Sequence, residues 1–343
     1  MEILEDVILK QYVTLRAGGP ARYFSHIRSL DDLKQALHFA EEKDLRSFIL
    51  GGGSNILVSD RGFDGLVLKM ENRGISVSGE KQGSTLVTAQ AGTDWDAFVA
   101  WAVRRGFWGL ENLSYIPGTV GAAPVQNIGA YGTQVAESIE SVAVIDAASG
   151  TESTLRRDEL GFAYRDSIFK HKEGRDLIIT SVTFALQKAG EAKSDYAGLT
   201  EYLHQKNIHT PSMREMREAV IATRQKKLPS IHDIGTAGSF FKNPIIDRAL
   251  LEEIERHWGN VPHFSTEDAN QVKIPAAWLL DHVGGWKGYR EDHVGVHDKH
   301  ALVLIHDGDG LAEEIDGLAR RMQADIEART GVVLEREPVK VGW

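Results

Sequence analysis

The chain contains no cysteine. Disulfides, thiolate metal sites, cysteine-ligated iron–sulfur clusters and a cysteine nucleophile are all excluded. Long apolar runs are missing too: no stretch approaches the roughly 18 consecutive apolar residues of a membrane span. The opening MEILEDVILKQY is acidic and too poor in apolar residues for a signal peptide, so a cytoplasmic location is expected. Positive charge is in deficit, with 39 Lys and Arg against 49 Asp and Glu and a formal net charge of −10. General binding to nucleic acid or to an anionic membrane needs a broad basic surface, so neither partner is expected. A local cluster of cations can still serve one cleft. Proline is scarce, with 9 residues against 34 glycines. What remains is ordinary for a folded protein: 343 residues, 42% hydrophobic and 26% charged. That composition excludes a mainly disordered or fibrous chain, and the length suits two or three domains.

The glycines gather at Gly51-Gly52-Gly53, Gly118 to Gly132, Gly235 to Gly238 and Gly284-Gly285, which is not the spread of a flexible linker. The first section reads as β, α, β. Ser29 is placed to cap a helix with Asp31 and Asp32 in its first turn, and Leu33, Leu37 and Ala40 follow at helical spacing. Phe48-Ile49-Leu50 and Leu66-Val67-Leu68 are short apolar strands. A second section opens with a strand over Thr85–Ala91. A helix with Trp95, Phe98, Val99 and Ala102 on one face follows and stops at Gly106. Strands are expected at Val142–Ile145 and Ile178–Leu186. A third section lies between helices at about Ser212–Lys227 and Leu311–Thr330, and holds a helix near Leu250–Trp258. The Trp278-Leu279-Leu280 run reads as core.

Two glycine segments suggest a ligand. LGGGSNILVSD, Leu50–Asp60, is a strand running into a glycine loop whose free N–H groups can form a concave anion site. It is neither the dinucleotide fingerprint GxGxxG nor the phosphate loop GxxxxGK[ST], and a plain tight turn is the alternative. IPGTVGAAPVQNIGAYG, Ile116–Gly132, is long, small-residued and uncharged. Such a loop suits burial against a large planar cofactor, or else a packed domain interface.

Three further segments carry ionisable groups. In AYRDSIFK, Arg165 is a candidate for bidentate carboxylate or phosphate binding, with a surface ion pair to Asp166 as the alternative. In RQKKLPSIHDIGTAGSFFKNP, Arg224 and Lys227 share a helix face and Ser239 follows a glycine turn. No GxSxG elbow marks Ser239 as a hydrolase nucleophile; it is either structural or a proton donor held by a rigid turn. His293, His297 and His300 have metal-like spacing, but Gly295 interrupts any helix between them and no carboxylate set accompanies them, so no metal is expected.

Together these segments resemble the UDP-N-acetylenolpyruvoylglucosamine reductase family. The matching pieces run in order: TLRAGGPARYF, LGGGSNILVSDRGFDGLVLKM, AGTDWDAFV, GLENLSYIPGTVGAAPVQNIGAYG, YRDSIFK, GTAGSFFKNP, AAWLLDHVGGWKG, ALVLI and LEREPVKVG, from Thr14 to Gly342. The resemblance implies an α+β fold of the vanillyl-alcohol-oxidase type. Two α/β subdomains, 1–70 and 71–227, would hold FAD, a third domain, 228–331, would bind substrate, and a strand in 332–343 would rejoin the second subdomain. It implies reduction of UDP-N-acetylglucosamine enolpyruvate to UDP-N-acetylmuramate for peptidoglycan synthesis, with NADPH as reductant. FAD would be bound by Gly51, Gly52, Gly53, Ser54, Asn55, Pro117, Gly118, Gly121, Ala122, Gln126, Asn127, Gly129 and Ala130. The first loop offers Ser54-Asn55 and no histidine, so FAD is expected to be non-covalent.

The resemblance further implies that Ser239 is the proton donor, Arg165 holds the carboxylate and developing enolate, and Glu337 is a third catalytic residue. Tyr196 matches a tyrosine on a loop that folds over substrate in class I members, although YAGL replaces the commoner YGDL. Lys227 and Asn243 match residues around the UDP-sugar, and His282 stands where a glutamine is frequent. A monomer is expected. The alternatives are a FAD-linked oxidase of another sugar or alcohol, and a non-catalytic nucleotide- or flavin-binding module.

Overall fold

The structure, a computed structural model, describes residues 1–343 apart from the side chain of Ala197. It divides into two units, and neither follows the chain continuously. The first comprises Met1–Val7, Ala21–Gly53 and Asp64–Lys226; the second comprises Ile8–Pro20, Ser54–Phe63 and Lys227–Trp343.

In the first unit, a four-stranded sheet has the order Leu4–Ile8, Pro20–Ile27, Phe63–Met70, Ser47–Leu50. The last two strands are parallel, with Leu50 beside Lys69. The segment 51–62 that crosses between them carries the short strand Ile56–Val58, and the helix Leu30–Glu42 precedes the pair. Its N-terminus closes as a capping box: the Ser29 hydroxyl accepts from the Asp32 N–H, and the Asp32 carboxylate accepts from the Ser29 N–H. A second, antiparallel sheet has the order Glu152–Arg156, Ile139–Asp146, Leu177–Gln187, Ser84–Gln90, Ile75–Lys81. The helix Trp95–Arg104 buries Trp95, Phe98, Val99 and Ala102, and the Phe98 ring lies 4.8 Å from that of Phe184. One apolar core joins Leu33, Leu66 and Leu68 to Phe98, Val142 and Phe184. Because both sheets share it, the segments expected to form two subdomains make a single unit. A smaller cluster of Leu199, Leu203, Met216, Ala219 and Val220 packs helices Ala197–Gln205 and Met213–Lys227 together.

The second unit has a sheet in the order Gly235–Ser239, Val303–His306, Val294–Val296, Arg290–Glu291 and a smaller one of Ile245–Asp247, Gln271–Lys273 and Phe264–Ser265. The helix Ala312–Thr330 buries Ile315, Leu318, Met322 and Ile326, which join Leu279, Leu280 and Val296 in the core. The segments 8–20 and 54–63, expected with the first subdomain, fold here instead.

The chain terminus departs from expectation as well. Val339–Val341 does not join the sheet of the 71–227 segment; it lies parallel to Ile56–Val58. Among the described residues the apolar strand Ile56–Val58 has no other strand partner, and this pairing satisfies a row of backbone groups that would otherwise be left open. The Ser59 N–H extends the ladder to the Val341 carbonyl at 2.8 Å.

Candidate active site

The two glycine loops meet in the first unit. Gly51–Gly53 leaves the C-terminal end of the strand Ser47–Leu50, where open α/β sheets place their ligands. A Cβ on Gly52 would lie 2.5 Å from the Gly118 Cα, and one on Gly51 would lie 2.7 Å from the Thr119 Oγ1. Backbone is therefore laid on backbone, a contact only glycine permits. The second loop is pinned from below: the Val120 and Gly121 N–H groups donate to the Thr93 and Ala91 carbonyls at 2.9 Å each. Asn127 is buried and has φ +44°. Its Nδ2 donates to the Ala163 carbonyl and the Gln134 Oε1 at 2.9 Å each, while its Oδ1 accepts from the Ala136 N–H at 3.1 Å. The side chain of Asn127 is thus committed to holding the loop rather than turned to a ligand. Crossed glycine backbones with no side chain between them suit the diphosphate and ribityl portion of a dinucleotide such as FAD.

Arg165 stands beside this loop. Its Nη2 donates to the Gly129 carbonyl at 2.9 Å, and its backbone has φ +54°, a costly left-handed conformation for a non-glycine residue. Asp166 accepts from the His171 Nε2 at 2.8 Å, and burial opposed by the hydrogen bond from His171 leaves its carboxyl below the usual range. Arg165 is held against the glycine loop by a strained turn.

Tyr196 immediately precedes the helix Ala197–Gln205 and is 47% exposed. Its ring meets that of Tyr131 edge-on at 5.3 Å and 87°. Burial raises the Tyr131 phenol above its ordinary pKa. Nearby, Arg224 donates to the Tyr115 carbonyl at 3.0 Å. Arg217 grips Asp96 with two bonds of 2.6 and 2.8 Å. This bidentate pair joins the helix Met213–Lys227 to the helix Trp95–Arg104. Asp96 is not singled out by the sequence; only the fold supplies its partner.

In the second unit, Ser239 ends the strand Gly235–Ser239, after Gly238 with φ +72°. The register with the strand Val303–His306 shifts between Thr236 and Ser239, and a shift of this kind re-aims a side chain at a strand end. Phe240 and Phe241 behind it are fully buried and anchor the turn. The Glu337 N–H donates to the Phe240 carbonyl at 2.9 Å, so Glu337 and Ser239 lie on adjoining backbones. The Asn55 Nδ2 donates to the Glu337 carbonyl at 3.1 Å, and the Val339 N–H donates to the Asn55 carbonyl at 3.0 Å. Asn55, expected at the cofactor, therefore also braces a proposed catalytic segment.

Arg336 secures that segment from the other side. It donates to the Asp316 Oδ1, and its Nε donates to the Gln323 Oε1 at 2.8 Å; the Lys340 Nζ lies 3.0 Å from the same carboxylate. Burial alone would raise the Asp316 carboxyl, but hydrogen bonds from Lys340 and Arg336 hold it below its ordinary value. A lone aspartate among the apolar positions of a helix was the available sequence signal.

The remaining expected residues are also in the second unit. Asn243 Oδ1 accepts from the Ala276 N–H at 3.0 Å. The exposed His282 ring stacks on Trp278 at 5.2 Å and 11°. Lys227 is exposed and near His300. His293 pairs with Asp307 at 2.8 Å, and His297 with Asp298 at 3.1 Å.

Burial, with repulsion from Lys227, His297 and Lys287, lowers the His300 imidazole to about 4. An unfolded chain takes up that proton near pH 6.5, well before the folded one does. The stability tied to neutral His300 is therefore complete above pH 6.5 and is lost as the pH falls towards 4. The loss approaches about 3 kcal/mol. Melting temperature measured across this window should fall less steeply in His300→Gln than in the wild type; parallel curves would remove His300 from the effect.

Comparison with known proteins gives the following. Residues 21–156 match a family model described as FAD binding domain, and residues 229–341 match one described as UDP-N-acetylenolpyruvoylglucosamine reductase, C-terminal domain. The chain is 40% identical over 338 residues to the UDP-N-acetylenolpyruvoylglucosamine reductase of Pseudomonas aeruginosa, covering 98% of each chain. It is 41% identical over 334 residues to that of Pseudomonas putida, covering 97% of each. Among solved structures, UDP-N-acetylenolpyruvylglucosamine reductase from Thermus caldophilus matches with a TM-score of 0.69 at 27% identity, covering 99% of this chain and 98% of that one.

Proposed function

The chain belongs to the UDP-N-acetylenolpyruvoylglucosamine reductase family, and on that premise we propose that it reduces UDP-N-acetylglucosamine enolpyruvate to UDP-N-acetylmuramate, a peptidoglycan precursor, with non-covalent FAD as cofactor and NADPH as reductant. It is an oxidoreductase of α+β fold whose FAD-binding portion is of the vanillyl-alcohol-oxidase type. No helix among the described residues is long and apolar enough to cross a membrane.

The redox chemistry is that of bound FAD, a two-electron carrier between NADPH and the terminal vinyl carbon C3. The protein must hold the substrate carboxylate, stabilise the negative charge that spreads from C2 into it, and place one proton on C2. Addition of hydride at C3 and a proton at C2 balances the conversion of alkene to saturated ether. Arg165 is the residue for the carboxylate: its planar guanidinium suits two-point binding of a carboxylate. Ser239 donates the proton. A serine hydroxyl is a very weak acid, but a carbanion is a stronger base, and the rigid turn on Phe240-Phe241 holds the hydroxyl in place. Glu337 completes the set; when protonated it can donate to the enolic oxygen. Lys227, exposed and cationic, fits the diphosphate of the UDP group. Tyr196, Asn243 and His282 are assigned to the rest of the nucleotide sugar.

The observation that carries this reading is the bond from the Glu337 N–H to the Phe240 carbonyl. It joins the stretch that carries Glu337 to the residue next to Ser239, bringing two distant parts of the chain that the chemistry requires onto adjoining backbones. The test is anaerobic stopped-flow mixing with NADPH and then with the enolpyruvyl nucleotide. The flavin band should bleach with the first and return with the second. A band that fails to return with substrate rejects the reading, and rapid return with oxygen and hydrogen peroxide release favours an oxidase of another sugar or alcohol.

A further inference from the structure

We propose that Lys69 is a cofactor-binding residue, its ammonium serving as counter-charge to the diphosphate of FAD held at the loop Gly51–Gly53. The inference rests on the assignment of FAD to that loop.

Lys69 lies on the strand Phe63–Met70 directly beside Leu50, the last residue before the loop. On this strand Leu66, Leu68 and Met70 point into the apolar core of the first unit. Val67 and Lys69 alternate to the opposite face. Val67 is nevertheless fully buried, so this second face is also covered. The sequence LVLKM places a charge where a hydrophobic residue would complete the strand.

The Lys69 Nζ donates to the Gly51 carbonyl. An ammonium has three donors, so this bond ties it to the loop and leaves two. Among the described residues, no carboxylate lies within ion-pair distance of it. Glu71, two positions on, has its carboxylate 3.2 Å from the His26 Nδ1 and 3.7 Å from the Arg28 Nε. Burial pushes the Lys69 ammonium below its ordinary pKa, only partly offset by Glu71. A lysine retained without a counter-ion in such a place is costly, and a role as a plain strut for the Gly51 carbonyl would be served as well by a neutral amide. An anionic ligand seated on the adjoining loop N–H groups supplies the missing charge.

The experiment is titration of apoprotein with FAD, followed by flavin fluorescence, in wild type, Lys69→Gln, Lys69→Arg and Gly52→Ala. Lys69→Gln keeps a donor for the Gly51 carbonyl and removes the charge; its Kd for FAD should rise by about 10–100-fold. Lys69→Arg should stay within roughly threefold of wild type, because the charge is retained. The melting temperature of Lys69→Gln apoprotein should equal or exceed that of wild type, since a half-buried charge with no carboxylate beside it has been removed. Added salt should weaken wild-type binding more than that of the glutamine variant. Wild-type affinity in Lys69→Gln overturns the proposal. So does equal weakening in the Gln and Arg variants, or a glutamine variant that melts lower or fails to fold, since each makes the lysine a structural strut. Gly52→Ala separates the two levels: weakened binding there with normal binding in Lys69→Gln rejects Lys69 alone, and normal binding in both rejects the loop assignment as well.

Discussion

Ser239→Ala should bleach with NADPH as fast as the wild type and then recover its flavin absorbance with substrate roughly 10²–10⁴ times more slowly, the usual contribution of a positioned general acid. The argument is one of timing. Flavin reduction by NADPH requires no proton at C2, so deletion of the hydroxyl leaves it untouched. Reduction of the alkene generates charge at C2 that Ser239 must quench, and the alanine variant has only solvent to do so. The substitution removes a single oxygen at a half-buried position, so melting temperature should change little. The two half-reactions, measured separately by stopped flow, decide the matter. Equal slowing of both would remove Ser239 from this role, and unchanged recovery would place the acid elsewhere, with Glu337 the next to test.

Gly52→Ala should weaken FAD binding by roughly 10–100-fold and lower the flavin content of the purified protein. A Cβ there would stand 2.5 Å from the Gly118 Cα, well inside van der Waals contact, and its neighbour is backbone that cannot rotate away. The second loop is pinned by the Val120 and Gly121 N–H bonds to Thr93 and Ala91, so separating the loops strains the shared core beneath both sheets. Overpacking of this kind costs about 1–3 kcal/mol. Most of it should appear as lost cofactor affinity, because the loops are the cofactor's expected walls. Absorbance of the purified variant and calorimetric titration with FAD provide the readings. A yellow protein of unchanged affinity would show that the loops can part and that the cradle is not where the cofactor lies.

The local elements were legible where periodicity and punctuation agreed. Ser29 with Asp32, the Trp95–Ala102 face before Gly106, and the helix ending at Gly331 follow from 3.6-residue spacing and from caps that act within one turn. The strand Ile75–Lys81 and the helix Ala197–Gln205 were not foreseen, because short, mixed segments carry no clear period. Chain order also misled. The stretches 8–20 and 54–63 belong with residues more than 160 positions away, since hydrogen-bond partners for an open strand can be recruited from any part of the chain.

The sequence alone determined the chemistry available: no thiols, a net negative surface, two uncharged glycine loops, and a serine, an arginine and a glutamate within motifs that identify the family. These are properties of residue types and local spacing, and they survive without coordinates. Only the tertiary structure decided which groups are neighbours. It set Glu337 against Phe240, closed Gly52 on Gly118, gave Asp96 to Arg217 and Asp316 to Arg336, and left Lys69 half-buried beside the glycine loop. Burial and pairing are relations between distant residues, and they exist only once the backbone has satisfied its own hydrogen bonds and the apolar faces have closed over one another.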